Sequence, residues 1–202
     1  MRERPGIESF HLRPDDYPKR PWKNGGGETR EIASDTQDPF RWRLSWATIP
    51  GSGPFSPFPG YDRQLVIWRG GPVSIAHEGK PPRHLNALQV ASFKGEWETE
   101  ASVSAPAEDF NAFALRGEAR VGVYPTFFAP GEDQQFPIAG SEHFLFGVEG
   151  EIEILEANTD RRFVLKPQET VRVSRQSTKQ FLNLRARGLV RSSCLWIVVR
   201  LL

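Results

Sequence analysis

Eighty residues after Pro57, Gly60, Leu65, Gly70 and Leu85 come Pro137, Gly140, Leu145, Gly150 and Leu165. The repeated order is a turn, a glycine, a strand-like run, a Gly hairpin, a second strand, a loop and a third strand. On the same offset, Phe40-Arg41-Trp42-Arg43-Leu44 meets the region around Arg120-Val121-Gly122-Val123-Tyr124, and Asn86–Phe93 meets Lys166–Val173. A period of this length is too long for a solenoid unit and suits two copies of a small barrel. The punctuation agrees: 17 Pro and 18 Gly are spread along 202 residues, as many short strands joined by turns require.

The local pattern has the period of strands. Phe40-Arg41-Trp42-Arg43-Leu44-Ser45-Trp46-Ala47 places Phe40, Trp42, Leu44 and Trp46 on one face and Arg41, Arg43, Ser45 and Ala47 on the other. Gln64-Leu65-Val66-Ile67-Trp68-Arg69 follows an aromatic–proline stretch, Gly53–Arg63, and ends at Gly70-Gly71. Arg63, Leu65 and Ile67 share one face of it. Glu151–Leu155 reads as the return arm after Gly150, with Asp160 at the next turn. Helix is confined to a turn around Pro14–Tyr17. The N-terminal lobe is expected to span residues 1–115 and the C-terminal lobe 116–202, with strands open to exchange between them.

Composition narrows the function classes. Aromatic residues at 11% oppose disorder. With 26 basic and 25 acidic residues the net charge is +1, which leaves no electrostatic footprint for nucleic acid or anionic lipid. At this length a chain buries roughly 70% of its unfolded surface without staples. Cys194 stands alone, which excludes an intrachain disulfide, and its apolar neighbours predict a buried structural thiol. Met1–Pro5 lacks a signal-peptide pattern, and no apolar run approaches the roughly 20 residues of a membrane span. A cytoplasmic protein is expected, with no nucleic-acid or membrane partner, as a monomer or homodimer.

Two constellations could carry chemistry. Trp22-Lys23-Asn24-Gly25-Gly26-Gly27-Glu28-Thr29-Arg30 is not a P-loop, since no Gly-Lys-Ser/Thr follows. It is either a surface loop entering a strand or a glycine backbone that brings Asn24 and Arg30 beside a pocket. Arg43 and Ser45 share a strand face, as do Asp109 and Asn111. Lining a barrel interior, they would offer two donors and two acceptors to a small polar ligand, with Arg suited to carboxylate. The same residues also fit a half-buried sheet, or an Arg43–Asp109 ion pair with no ligand. His11, His77, His84 and His143 show no ligand spacing, so no metal and no cofactor is expected.

The layout from Gly53 to Gly71 is similar to that of small cupin barrels, with Tyr61-Asp62-Arg63 where metal-binding cupins carry His-x-His. Residues 22–32, Trp42-Arg43-x-Ser45, Gly53–Arg63 and Asp109-Phe110-Asn111 together resemble the HutD/Ves family, strongly over residues 22–113. The resemblance implies an all-β bicupin, two RmlC-like jelly-roll barrels sharing a core. It also implies a bacterial cytoplasmic protein tied to histidine utilisation in some members and to stress in others. The expected function is metal-independent binding of a small carboxylate or amide metabolite, urocanate or formylated glutamate among the candidates, that modulates histidine utilisation. Arg43 and Arg63 would hold carboxylates, and Asn24, Ser45 and Asn111 would bond amide or formyl groups. Phe58 and Tyr61 would be walls, and Arg30 and Asp109 would complete the site. The alternatives are a metal-free isomerase or hydrolase, with Asp109 or Glu31 as base and Tyr61 as acid, and an interaction module without a ligand.

Overall fold

The structure, a computed structural model, describes residues 7–21, 27–36, 39–155, 162–175 and 182–202. Asn24 and Asp160 lie outside these. Among the described residues the regular structure is strand, apart from one 3-10 turn at Pro14–Asp16 where the sequence places its single helical turn.

The N-terminal unit runs over Tyr17–Val121. It contains β2 (Lys19–Pro21), β3 (Glu28–Ser34), β4 (Trp42–Ile49), β5 (Gly53–Pro54), β6 (Tyr61–Gly70), β7 (Val73–His77), β8 (Arg83–Leu85), β9 (Val90–Lys94), β10 (Thr99–Val103) and β11 (Ala107–Leu115). A six-stranded sheet, β2-β3-β4-β11-β6-β9, is accompanied by a four-stranded sheet, β5-β10-β7-β8. Between them Leu65, Ile67, Val73, Ile75 and Leu85 form the core.

The C-terminal unit contains β1 (Ile7–Leu12), β12 (Ala119–Phe128), β13 (Asp133–Ile138), β14 (Glu142–Glu149), β15 (Ile152–Leu155), β16 (Arg162–Leu165), β17 (Thr170–Arg175), β18 (Leu182–Gly188) and β19 (Ser192–Leu201). Its sheets are β1-β17-β14-β19-β12 and β13-β18-β15-β16. The boundary falls at Val121/Gly122 rather than at 115/116. β1 pairs with β17, so the N-terminal strand belongs to the C-terminal barrel rather than to the lobe its sequence position suggests.

The two units repeat one plan. β4-β11-β6-β9 has its counterpart in β12-β19-β14-β17, and β5-β10-β7-β8 in β13-β18-β15-β16. The offset survives in the register. Arg63 faces Phe93 and Leu65 faces Ala91 across β6–β9. Across β14–β17, His143 faces Val173 and Leu145 faces Val171. The hairpin glycines correspond too. Gly70 and Gly150 have φ of +72° and +70°, and a Cβ on either would sit 2.5 Å from a backbone oxygen, of Pro106 and Arg191 respectively. Only glycine meets both demands without strain.

The interiors differ. That of the C-terminal barrel is dominated by an apolar cluster of Phe136, Leu145, Ile152, Leu165 and Val171 with Cys194. Burial pushes the Cys194 thiol up to about 12, the behaviour of an inert packed cysteine. His143, which takes the place of Arg63 in the repeat, is buried, stacked on Trp196, and accepts a hydrogen bond from the Gly140 N–H at 2.8 Å. Among the described residues the buried arginine and carboxylate, Arg63 and Asp109, belong to the N-terminal barrel.

Candidate functional site

Alternation along β4, β6 and β11 points Arg43 and Ser45, Arg63, and Asp109 and Asn111 to the side of the sheet that carries the core residues Leu65 and Ile67. Pairing arranges them in rows. Arg43 lies opposite Phe113, Phe113 opposite Arg63, and Arg63 opposite Phe93. The next row is Ser45, Asn111 and Leu65, and the one after it Ala47, Asp109 and Ile67. The first row alternates cation and ring. The carbons of both guanidinium groups lie 4.7 Å from the centre of Phe113. Arg43 also lies over Phe40 at 4.5 Å, and Arg63 over Phe93 at 4.9 Å. Ring quadrupoles favour a desolvated cation in such positions.

A hydrogen-bond chain crosses the rows. Asn111 Nδ2 donates to Asp109 Oδ1 at 2.8 Å, which turns its Oδ1 toward Arg63, and Arg63 Nη2 donates to that oxygen at 2.9 Å. Arg63 Nη1 donates to the Ser56 carbonyl at 3.3 Å. Arg63 Nε is buried with no hydrogen-bond partner. Burial lowers the Arg63 pKa to about 10, with the Asp109 charge opposing and the Arg43 charge adding to the shift. Asp109 is raised to about 6 by complete burial, against the Asn111 hydrogen bond, the Arg63 charge and backbone N–H groups.

The aromatic–proline stretch supplies the remaining wall. Its backbone is tied down where Phe55 N–H donates to Thr99 O at 2.9 Å and Phe58 N–H to Gly95 O at 2.8 Å. A Cβ on Gly95 would be 2.3 Å from the Phe58 oxygen, so the glycine permits the approach. Phe58 packs against Phe113 with ring centres 4.7 Å apart and reaches both guanidinium groups, at 5.2 and 5.6 Å. Tyr61 packs on Phe40 at 4.7 Å, and its hydroxyl donates to the Phe40 carbonyl at 2.8 Å. Its proton is thereby committed to the backbone, which leaves the isomerase or hydrolase alternative without the acid it assigned to Tyr61.

Arg43, Ser45, Phe58, Tyr61, Arg63, Asp109 and Asn111 are thus brought together. Arg30 is not. It lies opposite Trp46 on β4 and covers that ring at 4.8 Å while bonding Glu28 at 2.8 Å, on the face away from Arg43 and Ser45. Strand parity excludes it from the interior. Glu31, the other carboxylate considered as a base, accepts from Ser34 at 3.0 Å and pairs with Arg20 at 3.3 Å. Phe55, Phe93, Phe113 and His77 complete the surroundings without having been singled out as site residues. The alternation of Ala91 and Phe93 puts Phe93 on an inner face, but nothing local pairs it with Arg63.

Similarity to known proteins bears on the family and the fold. The HutD family model matches residues 14–190. An uncharacterised 21.2 kDa protein in the hutC 3′ region of Pseudomonas putida is 42% identical over 104 residues, 50% of this chain and 55% of that protein. Protein Ves of Citrobacter koseri is 38% identical over 101 residues, 48% of this chain and 51% of its own. The chain therefore spans about half the length of the curated relatives it matches. HutD from Pseudomonas fluorescens SBW25, solved in a formate condition, superposes with a TM-score of 0.81 at 27% identity, over 96% of this chain and 100% of that one. The duplicated barrel is a bicupin.

Proposed function

The chain belongs to the HutD family, and on that premise we propose that its N-terminal barrel is a metal-independent binding site for a small organic carboxylate. Arg63 carries the reading. Arg63 is 6% exposed, its Nε is buried and unbonded, and it makes no ion pair among the described residues. Its partners are an amide oxygen, a backbone carbonyl and aromatic rings. A buried cation held by neutral groups is costly, and a carboxylate meeting its edge would supply both the missing charge and the missing acceptor. Asp109 balances it at second hand through Asn111, whose amide it orients. Ser45, on the same row as Asn111, offers a hydroxyl to the rest of a ligand. A guanidinium in this position repels a divalent cation, which opposes a metal at the same place.

The family name and the hutC-region relative support a role in modulating histidine utilisation. Urocanate and formylated glutamate are the first compounds to screen by thermal shift. The decisive variant is Arg63→Met, which keeps the apolar stem and removes the fork. Calorimetric titration should show binding weakened by about 1.5–3 kcal/mol, more than tenfold, the scale of a hydrogen bond to a charged group. Melting without ligand should change less. Unchanged affinity would remove Arg63 from the site, and a collapsed melting curve would make it a packing residue.

A further inference from the structure

Arg63 and Asp109 are the arginine and the carboxylate that the N-terminal barrel buries among the described residues. They are joined through one amide: Asn111 donates to Asp109 at 2.8 Å and accepts from Arg63 at 2.9 Å. The charged groups around this relay can be named element by element. β11 lies between β4 and β6. On β6 the group is Arg63. On β4 it is Arg43, half-buried, across the Phe113 ring from Arg63. β9 contributes Ala91 and Phe93, and the facing sheet brings Val73, Ile75, Leu85 and Ala101 to the same core. At the end of β7, His77 meets Phe93 with ring centres 4.9 Å apart. Burial, and then the charges of Lys80, Arg63 and Arg83, hold the imidazole below its usual range, so it is neutral near pH 7. Glu108, beside Asp109 on β11, takes the opposite strand face, where the charges of Arg69 and Arg30 reach it.

By itself the relay holds one cation and one anion. A carboxylate on the Arg63 guanidinium makes two anions share that cation in a desolvated interior. Two carboxylates in one such site do not both stay ionised cheaply, and the more deeply buried one takes the proton. That one is Asp109, whose complete burial already raises it to about 6, against the Asn111 hydrogen bond and the Arg63 charge. A protonated carboxyl still accepts through an oxygen, so Asn111 can keep donating to Asp109 with its own Oδ1 aimed at Arg63. The relay keeps its geometry and changes only its charge.

We propose that the site takes up a proton from solution with each carboxylate it binds, and that the proton goes to Asp109, the positioning residue behind Asn111. The inference rests on the carboxylate reading and adds the regulation of that site. By reciprocity, the ligand tightens the hold of Asp109 on its proton, and acid tightens the hold of the site on its ligand. Arg63, at about 10, keeps its charge near neutral pH. Affinity therefore rises as pH falls from about 8 toward about 6, and levels off below that, where Asp109 is protonated before the ligand arrives.

Formate is the probe, since it carries one carboxylate, no other titrating group and a full charge at these pH values. Calorimetric titration of the whole chain near pH 7, in two buffers of different ionisation heat, counts the protons. Roughly half a proton or more should be taken up per formate, and affinity should be roughly fivefold or more higher at about pH 6 than at about pH 8. Asp109→Asn, which keeps an oxygen to accept from Asn111 and cannot titrate, should abolish the uptake and flatten the pH profile. Formate binding with no uptake and no pH dependence overturns the proposal and leaves the carboxylate reading standing, with Arg43 supplying the balancing charge. Uptake that persists in Asp109→Asn puts the proton on another group, His77 included, and also overturns it. Should that variant not fold, the parent decides: uptake must fade below about pH 6, and uptake that grows there belongs to a group other than Asp109. If formate binds at no pH, the carboxylate reading itself fails.

Discussion

Asp109 is the residue whose chemistry its position alters most. Complete burial raises its pKa from 3.8 to about 6, against its hydrogen bond from Asn111 and the charge of Arg63. The folded value lies above the unfolded one, so between these two values the folded chain binds the proton more tightly than the unfolded chain. The cost of the ionised carboxylate is full above about 6, shrinks as pH falls through that value, and is gone below 3.8. Asp109→Asn cannot titrate there. The stability of the parent relative to this variant should therefore rise as pH falls from about 7 to about 4, by on the order of 3 kcal/mol. Urea unfolding of both proteins at several pH values measures it, and a flat difference would mean that Asp109 titrates like an exposed aspartate. Nothing in the segment Glu108-Asp109-Phe110-Asn111 announces this shift, because desolvation comes from strands β4 and β6, remote in sequence. Arg30 carries the converse lesson. Its motif was legible, but its face was not, since the register of β3 on β4 contains an irregularity between Glu31 and Ala33.

Hairpins and strand faces were the most legible elements, because glycine and period-two alternation act locally. The tight return at Gly70 is a clear case. Its φ of +72° and the 2.5 Å approach of a Cβ to the Pro106 oxygen make it intolerant of any side chain. Gly70→Ala should cost more than about 1 kcal/mol in chemical denaturation, since alanine there is both strained and crowded. Gly51→Ala is the matched control: nothing lies within 4 Å of its added Cβ. A surface change of this kind should stay within about 0.5 kcal/mol. Equal effects at the two positions would show that the hairpin adapts and that the glycine is dispensable. The aromatic–proline stretch was legible as turns but not as a wall. Its placement depends on backbone hydrogen bonds from Phe55 to Thr99 and from Phe58 to Gly95, across about 40 residues of chain.

At the scale of the molecule, duplication gives two barrels with one topology and two different interiors. Arg63 is answered by His143, and among the described residues the second barrel buries no arginine or carboxylate. Calorimetry should therefore return one bound ligand per chain, and two equivalent sites would refute a site confined to the N-terminal barrel. Leu145→Ala, in the second core, should cost about 2–5 kcal/mol of stability while leaving the affinity of the folded protein unchanged. Melting and titration of one preparation measure both. The chain's own order of turns, glycines and alternating strands determined an all-β duplicated fold, and it placed Arg43 with Ser45, and Asp109 with Asn111, on common strand faces. Those are short-range consequences of backbone geometry. Tertiary structure alone decided which face became the interior, that Phe113 lies between Arg43 and Arg63, and that Arg63 reaches Asn111, 48 residues away, rather than a carboxylate. Strand register is set by hydrogen bonds between distant segments and by where apolar surface is buried, so these juxtapositions exist only once the sheets close.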